Sequence, residues 1–564
     1  MKKISITFLV AVFFVAGTLK AQSVQDGVND LYAERFMKAI ATFEKLLGAN
    51  PNNIEATYWL GQTYLKKNDV ASAKALYEKS LLASANAPLL IVGMGQVELI
   101  ENKASEARQR FEAAITMTKG RKGNDPDILN AVGRAITEVY TQKDKKGDIN
   151  YAIEKLEEAA QRDNKNPYIH LNLGNAYRKG RPGEAGGLAF SSYQRAIEIN
   201  KKFAPAYYRT ALLFNSQRNW DLFQKHLEDA IEADPTFAPA YYELYYFKLY
   251  RQDYNNAEYY AQKFMENSDQ DPQNDFLRVQ TLWVKKEFDA AITGAKAIIA
   301  KAGKDTRPRT YKLIADAYVQ KNDPASAKEY IDAYFANLSP EDEVLPSDYK
   351  LKADIYSTIP GQEDVVLQAY RDGVEADTLL ANKIEMLKKG ADFFKEQKKY
   401  DMESLLYEEL IKVKPSKNIN EYFSAGYANY RNQNYSRSYE IFTIVADSFP
   451  TQIYGWEWKF RNAQIIDTVA KDSLALPAAE ALLKFTNNDT VTYAPQISLA
   501  SYFLAMYYNE SGDQAKAVEY LKVMKSATSD PARKESIQRN IDALSASIPK
   551  SGTGGAKTTS GSGK

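Results

Sequence analysis

Two histidines, His170 and His226, are the only imidazoles in this 564-residue chain, and cysteine is absent. A metal site of the usual tetrahedral kind needs three or four closely spaced His, Cys or carboxylate ligands. Neither histidine has a second one near it in sequence, so no metal site is expected. A phosphate cradle needs a glycine-rich turn between a strand and a helix. Gly180-Arg181-Pro182-Gly183 and Gly186-Gly187 lack that spacing and read as loop punctuation. Carboxylates are plentiful, but no pattern singles one out as a general acid or base. No cofactor and no catalysis are expected. What the composition does support is contact chemistry. The 39 tyrosines supply most of the aromatic content, and a ring with a polar tip suits both repeat cores and half-exposed binding surfaces.

Charge narrows the partners. Lys plus Arg number 73 against 72 Asp plus Glu, a net charge of +1, without the basic excess of a nucleic-acid binder. At the N-terminus Lys2 and Lys3 precede the apolar run 4–17, and Leu19-Lys20-Ala21 follows. This is the pattern of a secretory signal, too short to cross a bilayer comfortably, with cleavage expected after Ala21. No cysteine follows it to carry a lipid, and no other stretch is apolar and long enough to span a membrane. The expectation is a soluble, exported, periplasmic or envelope-associated chain.

The elements that must position the rings recur. Tyr58–Leu82 reads as two short amphipathic helices joined by a polar turn, 66–70. Leu60, Gly61 and Tyr64 share one face of the first, and Ala73, Tyr77 and Leu81 one face of the second. Gly27, Gly61 and Gly95 stand 34 residues apart, as do Ala39, Ala73 and Ala107, and Phe43, Tyr77 and Phe111. A hairpin of this size cannot bury its apolar face alone and needs neighbours of the same shape.

On these residues the sequence resembles the tetratricopeptide repeat family, whose pattern is W-x2-L-G-x2-Y, A-x3-F and P at 34 residues. Leu60-Gly61-x2-Tyr64, Ala73-x3-Tyr77 and Pro51 match it, while Trp59 lies two positions after the family's Trp site. The resemblance implies an all-α, right-handed superhelical solenoid of about 13 helix hairpins, some degenerate. It also implies a binding scaffold with no fixed partner.

Read along the chain, 22–451 is the repeat array. Residues 452–547 hold degenerate helical repeats and a capping helix from Asp530-Pro531, and 548–564 is a Gly/Ser/Thr/Lys tail with no means of forming a core. Repeats four and five carry insertions, 141–148 and 179–187, both in the turn between first and second helix. They should emerge on one edge of the stack, bearing Lys143, Lys145, Lys146, Arg178, Lys179 and Arg181, a basic edge able to grip an acidic partner. Repeats six to nine read as regular and repeat ten as eroded.

The family's register implies that first helices line a concave groove. It puts Tyr208, Tyr242, Tyr246, Tyr250, Phe276 and Trp283 on the inner wall of repeats six to eight, and Phe423, Tyr427 and Tyr430 on that of repeat twelve. By the same register His170 takes the Trp site of repeat five as a packing residue. His226 is expected to be exposed. The family's two-carboxylate clamp is not reproduced, since Leu171 stands where its lysine would be. The function expected is a non-enzymatic scaffold binding a protein or peptide of the cell envelope. The alternatives are glycan capture on an aromatic platform and, behind it, an envelope enzyme with a cryptic site in the irregular region 451–488.

Overall fold

The computed structural model describes residues 22–84, 86–183, 186–340, 342–416, 418–468 and 474–548. The expected leader, 1–21, and the tail past Ile548 lie outside the described residues. Among those described, helix follows helix from Val24–Tyr32 to Pro531–Ser547, and the only bridge is Gly120 with Gly123. The fold is an all-α solenoid of helical hairpins.

Each regular hairpin turns by the same device. The helix Ile54–Lys66 ends with Asn68 in the left-handed region (φ 62°). There the Asn68 amide donates to the Leu65 carbonyl at 3.1 Å and the Asp69 amide to Tyr64 at 2.9 Å. This pair of bonds satisfies carbonyls that would otherwise be orphaned at the helix end. Asp69 then caps the next helix, Val70–Ala83, by accepting the Ser72 amide. Left-handed residues recur at Glu34, Asn68 and Asn102, and at Arg218, Gln252 and Lys286, with the same 34-residue spacing. Only the asparagines are easy residues for that conformation.

Within a hairpin the glycine of the first helix lies beneath a large side chain of the second. Tyr77 is fully buried, its hydroxyl donating to the Tyr58 carbonyl at 2.8 Å. Ala39, Ala73 and Ala107 are all 0 % exposed, so the family's small sites are where the helices meet.

The chain forms two compact units, one up to Ala317 and one from Tyr318, and the helix Pro308–Gln320 spans that boundary. The first unit holds eight hairpins, from Val24–Tyr32 with Phe36–Ala49 to Phe276–Val284 with Phe288–Ala302. The second holds five, from Pro346–Tyr356 with Glu363–Ala376 to Ala494–Glu510 with Gln514–Ala527. In the latter unit Gly455 lets Ile453–Ile466 press on Tyr435–Ser448, since a Cβ there would lie 2.4 Å from the Ala446 backbone nitrogen. The last described helix, Pro531–Ser547, buries only Ile537 and Ile541.

Hairpin eight keeps the 34-residue register of its neighbours, from 238–250 to 272–284, but begins differently. Its first helix is only Phe276–Val284, preceded by the 3-10 turn Pro272–Asp275, because Asp271 and Pro272 start a tighter turn first.

Candidate functional site

The first unit curls until hairpin one meets hairpins five to seven. Gln25 donates to the Tyr168 hydroxyl at 2.7 Å, and the Tyr32 and Tyr168 rings lie 5.3 Å apart. Arg35 is held by Asp30 at 2.6 Å and donates to the Thr236 carbonyl. Asp269 accepts the backbone amides of Met37 at 2.7 Å and Lys38 at 3.3 Å. The helix Phe36–Ala49 has no side-chain cap of its own. Its N-terminal amides are therefore capped by a carboxylate from the far side of the unit, where the helix dipole also favours a negative charge.

Inside this curl the first helices carry a charged and aromatic network. The Arg134 guanidinium lies 4.3 Å from the Trp59 ring centroid and donates to the Tyr58 hydroxyl at 2.8 Å. Glu138 pairs with Lys66. Burial pushes the Glu138 carboxyl up, but Lys66, Arg209 and Arg134 outweigh it and hold it at about 2. Across the curl, burial pushes the Glu243 carboxyl up, the Tyr208 hydroxyl 3.4 Å away opposes this, and the negative field of Glu34 adds to it. Tyr208 also packs edge-on against Phe237 at 5.6 Å.

The aromatic residues expected on this wall separate into four settings, with Tyr242, Phe276 and Trp283 in three and Tyr246 and Tyr250 in the fourth. Tyr242 packs on Phe264 at 5.4 Å and shares a recess with Ala33, Glu34 and Phe36 of hairpin one. Its neighbour in that recess is thus the chain itself. Phe276 is corrected to a core residue: it is 6 % exposed at the start of its shortened helix, with Arg309 over its ring at 4.4 Å. Trp283 is half-buried, and its indole nitrogen has no hydrogen-bond partner among the described residues.

Tyr246 and Tyr250 line a recess of about 360 Å³ with Trp220, Phe247, Glu243 and Arg251. Tyr250 is 78 % exposed and Trp220 41 %. The Tyr246 and Tyr250 rings stack at 6.1 Å, and Arg251 lies 4.3 Å over Phe247. Two large exposed rings with a guanidinium at the rim form the most open aromatic surface of this unit. Trp220 and Arg251 escaped the sequence reading. The available signal was a tryptophan opening a second helix 34 residues before Tyr254.

In the second unit Phe423, Tyr427 and Tyr430 do come together. Phe423 and Tyr427 stack at 5.8 Å, Tyr427 and Tyr430 at 6.3 Å, and Trp458 of the next first helix lies 5.0 Å from both tyrosines. Tyr454, 48 % exposed, packs edge-on to Phe423 at 5.6 Å. Arg431 lies 4.9 Å over Tyr427 and pairs with Glu403. Trp458, the ring that joins this wall, lies in the stretch 452–547 that the sequence presents only as degenerate helical repeats.

The two insertions do share an edge, for Gln142 donates to the Lys179 carbonyl at 2.6 Å. Their cations, however, divide. Lys179 donates to the Thr137 carbonyl at 2.6 Å and Lys146 to the Ile100 carbonyl at 3.1 Å. Both finish the carbonyl end of a first helix, a favoured place for a cation, and burial lowers the Lys179 ammonium. Arg178 is half-buried, leaving Lys143, Lys145 and Arg181 exposed on the edge.

Residues 31–90 match the tetratricopeptide repeat. Among solved structures, the chain is similar to the C-terminal part of a TPR repeat-containing protein from Cytophaga hutchinsonii. Identity is 22 %, covering 47 % of this chain and 98 % of that one, with a TM-score of 0.27. A tetratricopeptide repeat protein from Parabacteroides merdae matches at 18 % identity over 43 % of this chain and 91 % of that one, TM-score 0.35. Yeast Tom70 matches at 14 % identity over 73 % and 95 %, TM-score 0.34. No curated protein matches the sequence.

The two histidines take packing roles in their helical hairpins. His170 is 8 % exposed, and burial lowers its basicity. His226 is corrected from exposed to half-buried: its ring stacks on Phe214 at 5.4 Å and 4°, with Asp229 at 3.3 Å.

Proposed function

We propose that this chain is an exported, non-enzymatic scaffold that binds a protein or peptide of the cell envelope, and that the Trp220–Tyr250 recess takes part in the contact. The observation that carries this is the exposure of both rings beside Arg251. Contiguous exposed aromatic patches mark partner contacts, and Trp, Tyr and Arg are the residues that concentrate binding energy. Tyr242 and Tyr208, which face hairpin one, drop from the contact set. The wall of Phe423, Tyr427, Tyr430 and Trp458 serves as a second contact surface. Export rests on the sequence pattern of 1–21.

The test is crosslinking in intact cells of a tagged chain, followed by mass spectrometry, with W220A and Y250A combined. Both side chains are open enough for folding to survive their loss. The main crosslinked protein should disappear while helicity and thermal unfolding stay near those of the unaltered chain. A normally folded double variant that keeps its partner sinks the assignment of this recess.

A further inference from the structure

We infer that hairpin one is a gate on the inner wall of the first unit, latched by the helix cap that Asp269 supplies from behind hairpin seven. The gate does not depend on what the Trp220 recess binds.

Three observations support a movable element. First, the fully buried side chains of hairpin one, Val28, Leu31, Ala39 and Phe43, cluster with Ala56 and Leu60 of hairpin two alone, and only partly buried rings such as Tyr32, Trp59 and Tyr64 link that cluster to the large one. Among the described residues hairpin one is joined to one sequential neighbour, and an element so joined opens locally at lower cost than one packed on both sides.

Second, the seam with hairpins five to seven is held mainly by polar contacts. These are Asp269 to the Met37 and Lys38 amides, Arg35 to the Thr236 carbonyl, and Gln25 to the Tyr168 hydroxyl. The apolar contribution is the small side chain of Ala33 and the Tyr32–Tyr168 pair. Sequential hairpins are joined instead by buried rings and aliphatic side chains.

Third, open clefts run along the seam. One of about 900 Å³ lies between Gln25, Asp30 and Arg35 on one side and Tyr168, Asn200 and Thr236 on the other. A second, of about 380 Å³, separates Glu34 and Phe36 from Tyr242 and Arg307. An obligate core interface is packed to the density of an organic crystal. This one resembles two surfaces that meet and part. Opening would uncover Tyr208, Tyr242 and Glu243, which the closed form keeps against hairpin one.

The absence of cysteine makes the motion measurable. Lys45→Cys and Gln262→Cys, both exposed and on hairpins one and seven, accept nitroxide labels in the otherwise intact chain, and pulsed dipolar spectroscopy reads their separation. The expected result is a main short distance with a minor longer one. In D269A the ratio of long to short should rise about tenfold, as loss of a helix cap allows. D269N keeps an accepting oxygen and should stay near the parent ratio. If D269A does not fold, R35A, which frees the Thr236 carbonyl, should enlarge the longer population in its place. A single short distance in the labelled parent and in every folded variant overturns the gate, as does D269N opening as far as D269A.

Discussion

Gly61 lies directly against the ring of Tyr77: a Cβ on residue 61 would come within 2.2 Å of the Tyr77 Cζ. Gly93 of the next hairpin approaches the same ring, its Cβ position lying 2.7 Å from Cζ. The ring is thus clasped by two first helices and cannot retreat. Gly61→Ala is expected to destabilise the protein by about 1–3 kcal/mol through overpacking. Gly48, on an exposed helix face with nothing within 4 Å of its Cβ position, is the control. There the same change should stabilise by about 0.5–1 kcal/mol. Denaturant unfolding of both variants checks the pair, and equal signs would refute the clasp.

Lys286 turns hairpin eight in the left-handed region at φ 64°, and its amide donates to the Trp283 carbonyl at 2.9 Å. Its side chain is exposed, so the residue is tolerated at this turn and not required by it. Lys286→Gly relieves the backbone cost and gives back part of it as unfolded-state entropy. A net gain of about 0.5–1 kcal/mol is expected, read as a higher midpoint in urea.

Tyr242 and Tyr250 share a helix face but not an environment. Tyr242→Ala removes a ring packed on Phe264 and Tyr246 and should cost about 1–3 kcal/mol. Tyr250→Ala removes a ring that is 78 % exposed and should stay within about 0.5 kcal/mol of the parent. Thermal unfolding separates the two. A large loss for Tyr250→Ala would make it a packing residue and withdraw it from the proposed contact.

Glu138 is the counter-charge for Lys66, Arg134 and Arg209 inside the curl. Its carboxyl is held at about 2, below the ordinary 4.5. It therefore adds stability that is complete above about pH 4.5 and lost as pH falls through about 2. Glu138→Gln should cost about 1–2 kcal/mol near neutral pH, discounted for a side chain that is 25 % exposed. The gap between parent and variant should close as pH is lowered from 4.5 toward 2. A gap that is constant with pH would mean that the loss is one of packing and not of charge.

The repeat was legible because its determinants are local. A glycine, an alanine and an aromatic residue at a 34-residue spacing specify one hairpin and its contact with the next, and Gly61, Ala73 and Tyr77 occupy the expected places. The shared edge of the two insertions followed from the same register, as Gln142 and Lys179 show. Phe276 keeps the register of Tyr208 and Tyr242 but is buried, because Arg309 of the next first helix covers its ring, a contact that a repeat pattern does not carry. Lys146 and Lys179 were misjudged as free cations because the carbonyls they finish belong to helices in other hairpins.

The sequence by itself determined the all-α hairpin, its period and the small-residue sites where helices cross. Only the tertiary structure decided what the inner wall faces. Each hairpin is rotated slightly against the one before, and no single interface encodes the sum of those rotations. In the first unit that sum brings Asp269 to the amides of Met37 and Lys38. Residues 232 positions apart in the chain thus become a helix and its cap. A periodic pattern is blind to such a pair, because its terms are nearest-neighbour while closure depends on the accumulated geometry of all the hairpins between.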